Sequence, residues 1–169
     1  METNQLTETA SFVINPEQLL AHWQGHRKLT RKVIEVYPED KFFSYSIGGM
    51  RPFSELLMEI IDLSEGGVSG IVTGSWKPAQ DLAHVSGNLP KTKEEYLKLW
   101  DKVTEVISQS WQEITTERFQ ETVMAFGAYE GTVYSTILYF IDNEIHHRAQ
   151  AYVYLRSLGI APPPFWERY

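Results

Sequence analysis

One stretch of the chain constrains its fold more than any other, because it combines a core pattern with polar groups. Residues 139–158 read YFIDNEIHHRAQAYVYLRSL, and their apolar side chains recur at helical spacing. Midway along, the pattern is interrupted by Asn143, Glu144, His146, His147, Arg148 and Gln150. Several of these side chains are of types that bind metals. The stretch therefore predicts a core helix that carries a polar site.

The spacing of these polar residues decides which of them can share one face of the helix. Residues three or four positions apart lie side by side, so His147 pairs with either Asn143 or Glu144. Only one of these two faces can point into a bundle of helices, and the spacing leaves both open. His146 lies about 100° around the helix from His147 and serves a different surface.

Length, charge and composition exclude several classes of function. The 169 residues are enough for a hydrophobic core, and we expect a single domain over residues 1–169. The formal net charge of −7 argues against binding to nucleic acid, which needs clustered Lys and Arg. Because cysteine is absent, any metal must be held by nitrogen and oxygen. The N-terminus has no secretory pattern and no apolar run reaches membrane length, so we expect a soluble cytoplasmic protein without membrane contact.

The periodicity of apolar residues predicts four long helices. The first begins after Asn15 and runs to about Tyr37, the second begins at Arg51-Pro52, the third runs from Thr92 to Ile114, and the fourth runs from about Thr132 to Leu158. Gly66, Gly67 and Gly70 are expected to weaken or bend the second half of the second helix. Four amphipathic helices in a chain of this size predict an all-α, four-helix bundle.

The segments between the helices are predicted to be irregular. Residues 1–14 have the composition of a polar arm, and residues 39–50 carry aromatic side chains that fold back over one end of the core. Residues 77–90 form a loop in the right place for a lid over a site. Residues 119–131 predict an irregular connection with a short strand-like piece, and the aromatic side chains of residues 161–169 are available to pack against the bundle or a second subunit.

Titratable residues outside the fourth helix have two interpretations each. Glu59 lies between apolar positions of the second helix, where it either meets a cation or hydrogen-bond donors near the core or lies in water at the edge. His22 and His26 have the i, i+4 spacing of a metal-binding pair, but their polar neighbours favour a solvated helix face. His84 is interpreted as a solvated loop residue rather than a ligand.

Two segments resemble a known family. HHRAQAYVYLRSLGI (146–160), followed by PPPFWER (162–168), resembles the last helix and tail of DinB-like proteins of the DinB/YfiT superfamily, whose usual pattern is H-x-x-H-H-R-G-Q. GMRPFSELLMEII (49–61) resembles their second helix, which usually ends E-L-x-x-H-I. The resemblance implies a left-handed four-helix bundle with up-down-down-up connections, often a dimer. It also implies a divalent metal between the second and fourth helices, held by three histidines.

The resemblance transfers a site residue by residue, with substitutions. His147 matches the third histidine ligand. Asn143 falls where the first histidine of the fourth-helix motif usually stands, and Glu59 falls where the second-helix histidine stands. Ala149 replaces the usual glycine. The implied metal ligands in this chain are therefore His147, Glu59 and Asn143.

These substitutions change the metal chemistry that the resemblance implies. A His/Glu/Asn set is richer in oxygen than three imidazoles, so manganese, magnesium or calcium becomes more favourable relative to nickel or zinc. Two alternatives remain open. Glu144 replaces Asn143 as the ligand if the fourth helix is rotated, or no metal binds and Glu59 pairs with His147 or Arg148.

The family resemblance implies a metal-dependent enzyme of thiol-transferase or hydrolase type. Its relatives use low-molecular-weight thiols such as bacillithiol or mycothiol, and a metal with open positions makes a nucleophile from bound water or a thiol. The implied partners are a small-molecule substrate or such a thiol and a second copy of the chain. The catalytic residues are not identified. Arg148 either steers an anionic substrate or is structural, and His146 is assigned to helix packing.

Two non-catalytic interpretations stand beside the enzyme. The missing family histidines favour a stress-associated helical-bundle binding protein that has lost its metal. Alternatively, the polar residues form a satisfied buried network that serves stability alone. That network would consist of Glu59, Asn143, His147 and Gln150.

Overall fold

The fold is mainly helical, with one small β-hairpin. The computed structural model describes residues 13–168. Its helices are α1 (Pro16–Val36), α2 (Glu39–Phe42), α3 (Phe53–Thr73), α4 (Ala83–Ser86), α5 (Lys93–Trp111) and α6 (Val133–Ser157). Two 3-10 turns cover Ala79–Asp81 and Glu117–Gln120, and the strands are β1 (Thr122–Ala125) and β2 (Tyr129–Thr132).

The four long helices α1, α3, α5 and α6 pack together as the predicted all-α, four-helix bundle. Helices α1 and α3 each pack against both α5 and α6, so the main interfaces of the bundle join helices from these two pairs. Large aromatic side chains fill the centre, and Phe42 of α2 covers one end by packing on Tyr37, Phe53 and Tyr96. The prediction that aromatic residues of segment 39–50 fold over the core is confirmed for Phe42.

Local capping signals set the starts of the helices. Asn15 and Gln18 form a reciprocal capping box at α1, in which Asn15 Oδ1 accepts from the Gln18 amide at 2.8 Å. Thr92 and Glu95 form a second box at α5. Thr132 caps α6 by accepting from the Ser135 amide at 3.2 Å. The predicted helix starts are therefore confirmed to within about one residue.

The connections are more ordered than the sequence predicted. Segment 77–90 contains a 3-10 turn and the short helix α4. Segment 119–131 contains an antiparallel hairpin in which Thr122 lies opposite Thr132 and Ala125 opposite Tyr129. Phe126 and Gly127 make the tight turn with positive φ angles of 53° and 71°. The hairpin ends directly at the N-cap of α6, so it is fixed to the start of that helix.

Two predictions concern regions at the limits of the description. Residues 1–12 of the predicted polar arm and Tyr169 of the tail lie outside the described residues. In the tail, Phe165 and Trp166 are exposed. Across residues 13–168, no helix has the length and apolar character needed to cross a membrane.

Candidate functional site

The three residues implied as metal ligands come together between α3 and α6. Asn143 Nδ2 donates to Glu59 Oε1 at 2.9 Å, and His147 Nε2 lies 3.0 Å from the same oxygen. Asn143 and His147 are buried one turn apart on α6, and the Glu59 side chain on α3 is 18% exposed. Of the two faces that the sequence left open, the one carrying Asn143 therefore points at Glu59.

The tautomer of His147 follows from its neighbours. Gln150 Nε2 lies 3.2 Å from His146 Nε2, which orients the Gln150 amide so that its oxygen lies 3.1 Å from His147 Nδ1. Nδ1 therefore carries the proton and donates to Gln150, leaving a lone pair on Nε2. This lone pair is close to a carboxylate oxygen but lacks hydrogen-bond alignment with it. Two electron-rich atoms at this distance need a proton or a cation between them.

Glu59 is an ionised carboxylate held by three neighbours. Burial opposes its charge, but contacts with His147, Arg51 and Asn143 outweigh that cost and hold the pKa of Glu59 well below its usual range. Arg51 Nη2 donates to Oε2 at 2.5 Å. Of the two interpretations of Glu59, the one in which it meets donors near the core is confirmed.

The donor atoms fit a divalent cation that accepts oxygen ligands. His147 Nε2 and Asn143 Oδ1 are both buried and have no hydrogen-bond partner, although such groups are rarely left unpaired. Together with the Glu59 carboxylate they supply one nitrogen and two kinds of oxygen, a set suited to manganese or magnesium more than to zinc. The part of the chain from 13 to 168 contains no group of three His, Cys, Asp or Glu placed to hold a metal, so a metal at this place would need the Asn143 amide as its third ligand.

Glu144 does not face Glu59, so the alternative in which it replaces Asn143 is wrong. Its carboxylate is completely buried on the other side of α6, where Thr30 Oγ1 of α1 donates to Oε1 at 2.6 Å. Arg148 Nη1 lies 3.6 Å from the same oxygen and donates to Thr30 Oγ1 at 3.0 Å. Arg148 is thus buried among partners within the bundle and does not pair with Glu59.

The interpretation of His22 and His26 as a solvated face is wrong for His26, whereas His22 is half-buried. His26 is 1% exposed, with Nδ1 2.9 Å from Arg148 Nη2 and Nε2 3.0 Å from Arg168 Nη1. Burial, and then the charges of Arg148, His22 and Arg168, lower the pKa of His26 to about 3. Its neighbour Arg27 is also fully buried, and burial lowers the Arg27 pKa to about 10.

The sequence contains a signal that could have located this buried face. Trp23, His26, Arg27 and Thr30 follow the i, i+3, i+4, i+7 spacing of one helix face, and a tryptophan anchors it in the core. The other three residues are polar, so the sequence did not mark this face as buried.

His84 is largely buried and pairs with Asp62, so its interpretation as a solvated loop residue is wrong. Asp62 Oδ2 accepts from the backbone amide of His84 and from its Nδ1, each at 2.7 Å. The side chains of His84 and Asp62 are 13% and 8% exposed. Asp62 lies one turn beyond Glu59 on the buried face of α3, a position that the helical spacing could have indicated.

A cavity of about 380 Å³ adjoins the Glu59 cluster. It lies between α3, segment 79–85, the β-hairpin and the first two turns of α6, and Glu59 and His84 are among its lining residues. Its apolar wall includes Leu63, Leu82, Val85, Phe126, Tyr139 and Phe140. The segment predicted as a lid therefore forms one side of this cavity.

A bundle of four long helices with a polar cluster between α3 and α6 is the architecture that the resemblance implied. The family model of the DinB family matches residues 1–168, and the chain belongs to that family. It is 22% identical over 153 residues to the uncharacterized protein YjoA of Bacillus subtilis (strain 168), covering 89% of this chain and 96% of YjoA.

Solved structures share the fold. A DinB-like protein from Bacillus cereus ATCC 10987 has a TM-score of 0.71 at 18% identity, covering 88% of this chain and 95% of its own. The crystal structure of YjoA gives 0.68 at 22% identity, covering 88% and 96%. A mutant of a mycothiol-dependent maleylpyruvate isomerase gives 0.64 at 12% identity, covering 80% of this chain and 60% of that protein.

Proposed function

We propose that this DinB-family chain is a metal-dependent enzyme acting on a small molecule, of thiol-transferase or hydrolase type. Glu59, Asn143 and His147 are its metal ligands. The observation that carries the proposal is the contact between His147 Nε2 and the Glu59 carboxylate at 3.0 Å. The Nε2 atom has no aligned donor or acceptor, and a divalent cation satisfies both groups together.

The surrounding residues support a reaction at this place. Gln150 orients the His147 ring, as the partners of metal-bound histidines do in other proteins. Glu59 borders the 380 Å³ cavity, whose volume suits a small molecule. A bound cation would lower the pKa of a water molecule or a thiol and so supply a nucleophile. The mycothiol dependence of the distant isomerase supports a low-molecular-weight thiol as co-substrate.

A second candidate is a non-catalytic bundle protein without metal. It is favoured by Arg51, because the guanidinium already compensates the charge of Glu59 through the bond to Oε2. In this candidate the His147 ring carries a second proton and pairs with Glu59 directly.

Metal retention distinguishes the two candidates. We expect wild-type protein, purified without chelator and dialysed extensively, to keep about one Mn²⁺ or similar divalent ion per chain in elemental analysis. Because Nε2 of His147 and the carboxylate of Glu59 are both proposed ligands, His147→Ala should lose the ion and Glu59→Gln should weaken its retention. Asp142→Asn is the matched control, since this carboxylate on the same helix is exposed. Native mass measurement on the same samples reports whether the chain is the expected homodimer.

Two outcomes would contradict the enzyme proposal. If His147→Ala retains as much metal as wild type, the ion is adventitious. If wild type binds no divalent ion even when Mn²⁺, Mg²⁺, Ni²⁺ and Zn²⁺ are supplied in turn, the metal-free candidate is favoured.

A further inference from the structure

The Asp62–His84 pair is a second chemically competent group at the cavity, and the proposed metal site does not use it. His84 lines the cavity, whereas Asp62 lies behind it on α3. Because the Asp62 carboxylate accepts from both the backbone amide and the ring of His84, it fixes the position of the residue and the orientation of its ring. Burying a carboxylate costs free energy, so a buried Asp–His pair is expected to serve a function.

The pairing determines what the His84 ring presents. Asp62 Oδ2 accepts from Nδ1 at 2.7 Å, so Nδ1 carries a proton and only Nε2 is left to meet a ligand. No residue of the segment 13–168 forms a hydrogen bond with that Nε2. A histidine held in this tautomer by a carboxylate is arranged to accept a proton or a hydrogen bond.

The aliphatic hydroxyls and the carboxylates of the wall also accept rather than donate. The hydroxyls of Ser135 and Thr136 both donate to the Thr132 carbonyl at 2.9 Å, so only their oxygens remain available. Glu59 and Glu130 add carboxylates. Among residues 13–168, no Lys or Arg lines the cavity. These acceptors therefore favour a ligand that brings its own donor, and the Glu130 carboxylate disfavours an anionic one.

We propose that the cavity binds a neutral, largely apolar small molecule through a hydroxyl or thiol donor, which His84 Nε2 accepts while Asp62 orients the ring. The apolar wall, including Phe126, Tyr139 and Phe140, contacts the rest of the molecule. This inference names the ligand class of the site in the proposed function, but it does not depend on the metal. It would stand if the chain proved to be metal-free.

A pair of probes of nearly equal shape tests the donor requirement. 2-Naphthol carries a hydroxyl where 2-methylnaphthalene carries a methyl group, and each is small enough for a 380 Å³ cavity. We expect wild-type protein to bind 2-naphthol about tenfold more tightly than 2-methylnaphthalene, measured by NMR titration, because one good hydrogen bond gives about that factor. His84→Phe should reduce the ratio to about one while keeping the affinity for the hydrocarbon. Tyr134→Phe, which removes a hydroxyl on α6 outside this cavity, is the control and should leave the ratio unchanged.

The tautomer can be measured without any variant. Nitrogen-15 spectra of wild-type imidazoles should show His84 protonated at Nδ1, and 2-naphthol should shift its Nε2 resonance. A ratio near one in wild type, a ratio unchanged by His84→Phe, no binding of 2-naphthol at millimolar concentration, or a proton on Nε2 would each overturn the inference. Metal retention is measured separately, so failure here and failure of the proposed enzyme are distinguishable.

Discussion

At the scale of single residues, His26 is the clearest case of a group whose charge the fold suppresses. It lies inside the bundle beside two guanidinium groups, those of Arg148 and Arg168. The Nδ1 atom accepts from Arg148, which has donors only, so this nitrogen must stay unprotonated. With its pKa lowered to about 3, the imidazole is neutral throughout the pH range in which an unfolded histidine gains its proton.

This suppressed charge predicts a loss of stability on mild acidification. Below pH 6.5 the unfolded chain binds a proton at His26 that the folded chain does not, so the free energy of unfolding must fall as the pH falls. Between pH 6.5 and pH 5 we expect His26 to contribute a loss of about 1.5 kcal/mol. Urea denaturation at several pH values measures it, and His26→Gln should have the smaller slope.

The matched control for His26 is the exposed His146. His146→Gln should keep the wild-type slope of stability against pH, because its ring is exposed in the folded chain. The raised pKa of buried Glu144 opposes the His26 effect, but it is common to all three proteins. Equal slopes for wild type and His26→Gln would mean that His26 is protonated in the folded state.

At the scale of elements, α3 is adapted to its neighbours by two glycines. Cβ atoms built at Gly67 and Gly70 would lie 2.2 Å from the Phe140 ring and 2.4 Å from the Trp76 ring. The expectation that these glycines weaken the helix considered only the helix itself. The structure is α-helical as far as Thr73. Because Gly67 and Gly70 have no side chains, the two aromatic rings pack directly against the helix at these positions.

Gly67→Ala therefore should destabilise the protein, although alanine favours a helix more than glycine. The added methyl group must displace Phe140, a buried ring, and overpacking of this kind costs about 1–3 kcal/mol. Chemical denaturation should show a net loss of about 1–2 kcal/mol, whereas Ser69→Ala at an exposed position of the same helix should change stability by less than about 0.5 kcal/mol. Phe140→Leu should relieve part of the loss in the double variant, and a gain in stability from Gly67→Ala alone would contradict this packing.

The elements differ in how far the sequence could predict them. Asn15, Thr92 and Gly159 mark helix ends by their own side chains or backbone freedom, and these local signals predicted three of the four long helices closely. The hairpin between residues 122 and 132 has weak alternation and was predicted only as a strand-like piece. Its strands are four residues long, too short for a clear periodic pattern.

The candidate site was predictable in part, for a physical reason. Helical spacing limited the partners of His147 to Asn143 or Glu144, but the choice depends on Thr30, which supplies the hydrogen bond that holds Glu144 on the other side of α6. That contact joins residues 114 positions apart, and no local pattern encodes it. The Asp62–His84 pair likewise spans 22 positions through an irregular loop. Periodicity identifies the buried face of one helix. Which residues form a site also depends on how the neighbouring helices are rotated about their axes.

At the scale of the whole molecule, a buried charged network connects three of the four long helices. The Arg27 guanidinium of α1 lies 3.4 Å above the Trp100 ring of α5 and donates to the Trp100 carbonyl at 3.0 Å. Glu144 of α6 attracts both Arg27 and Arg148. The hydroxyl of Thr30 on α1 donates to Glu144 and accepts from Arg148. The network therefore fixes how α1 packs against α5 and α6, opposite the side on which α3 contributes Glu59.

Replacing Glu144 with glutamine tests whether this network is ionised. Burial raises the pKa of Glu144, but two buried arginines face its carboxylate, and only Arg27 has a second attractive carboxylate, that of Asp101. We therefore expect Glu144→Gln to lower the free energy of unfolding by about 3 kcal/mol at pH 7. In urea denaturation the midpoint should fall without a change in slope, as for one cooperative domain. Glu94→Gln, which breaks only the exposed pair with Lys98, should cost less than about 0.5 kcal/mol, and a similarly small loss at Glu144 would mean that its carboxyl is protonated.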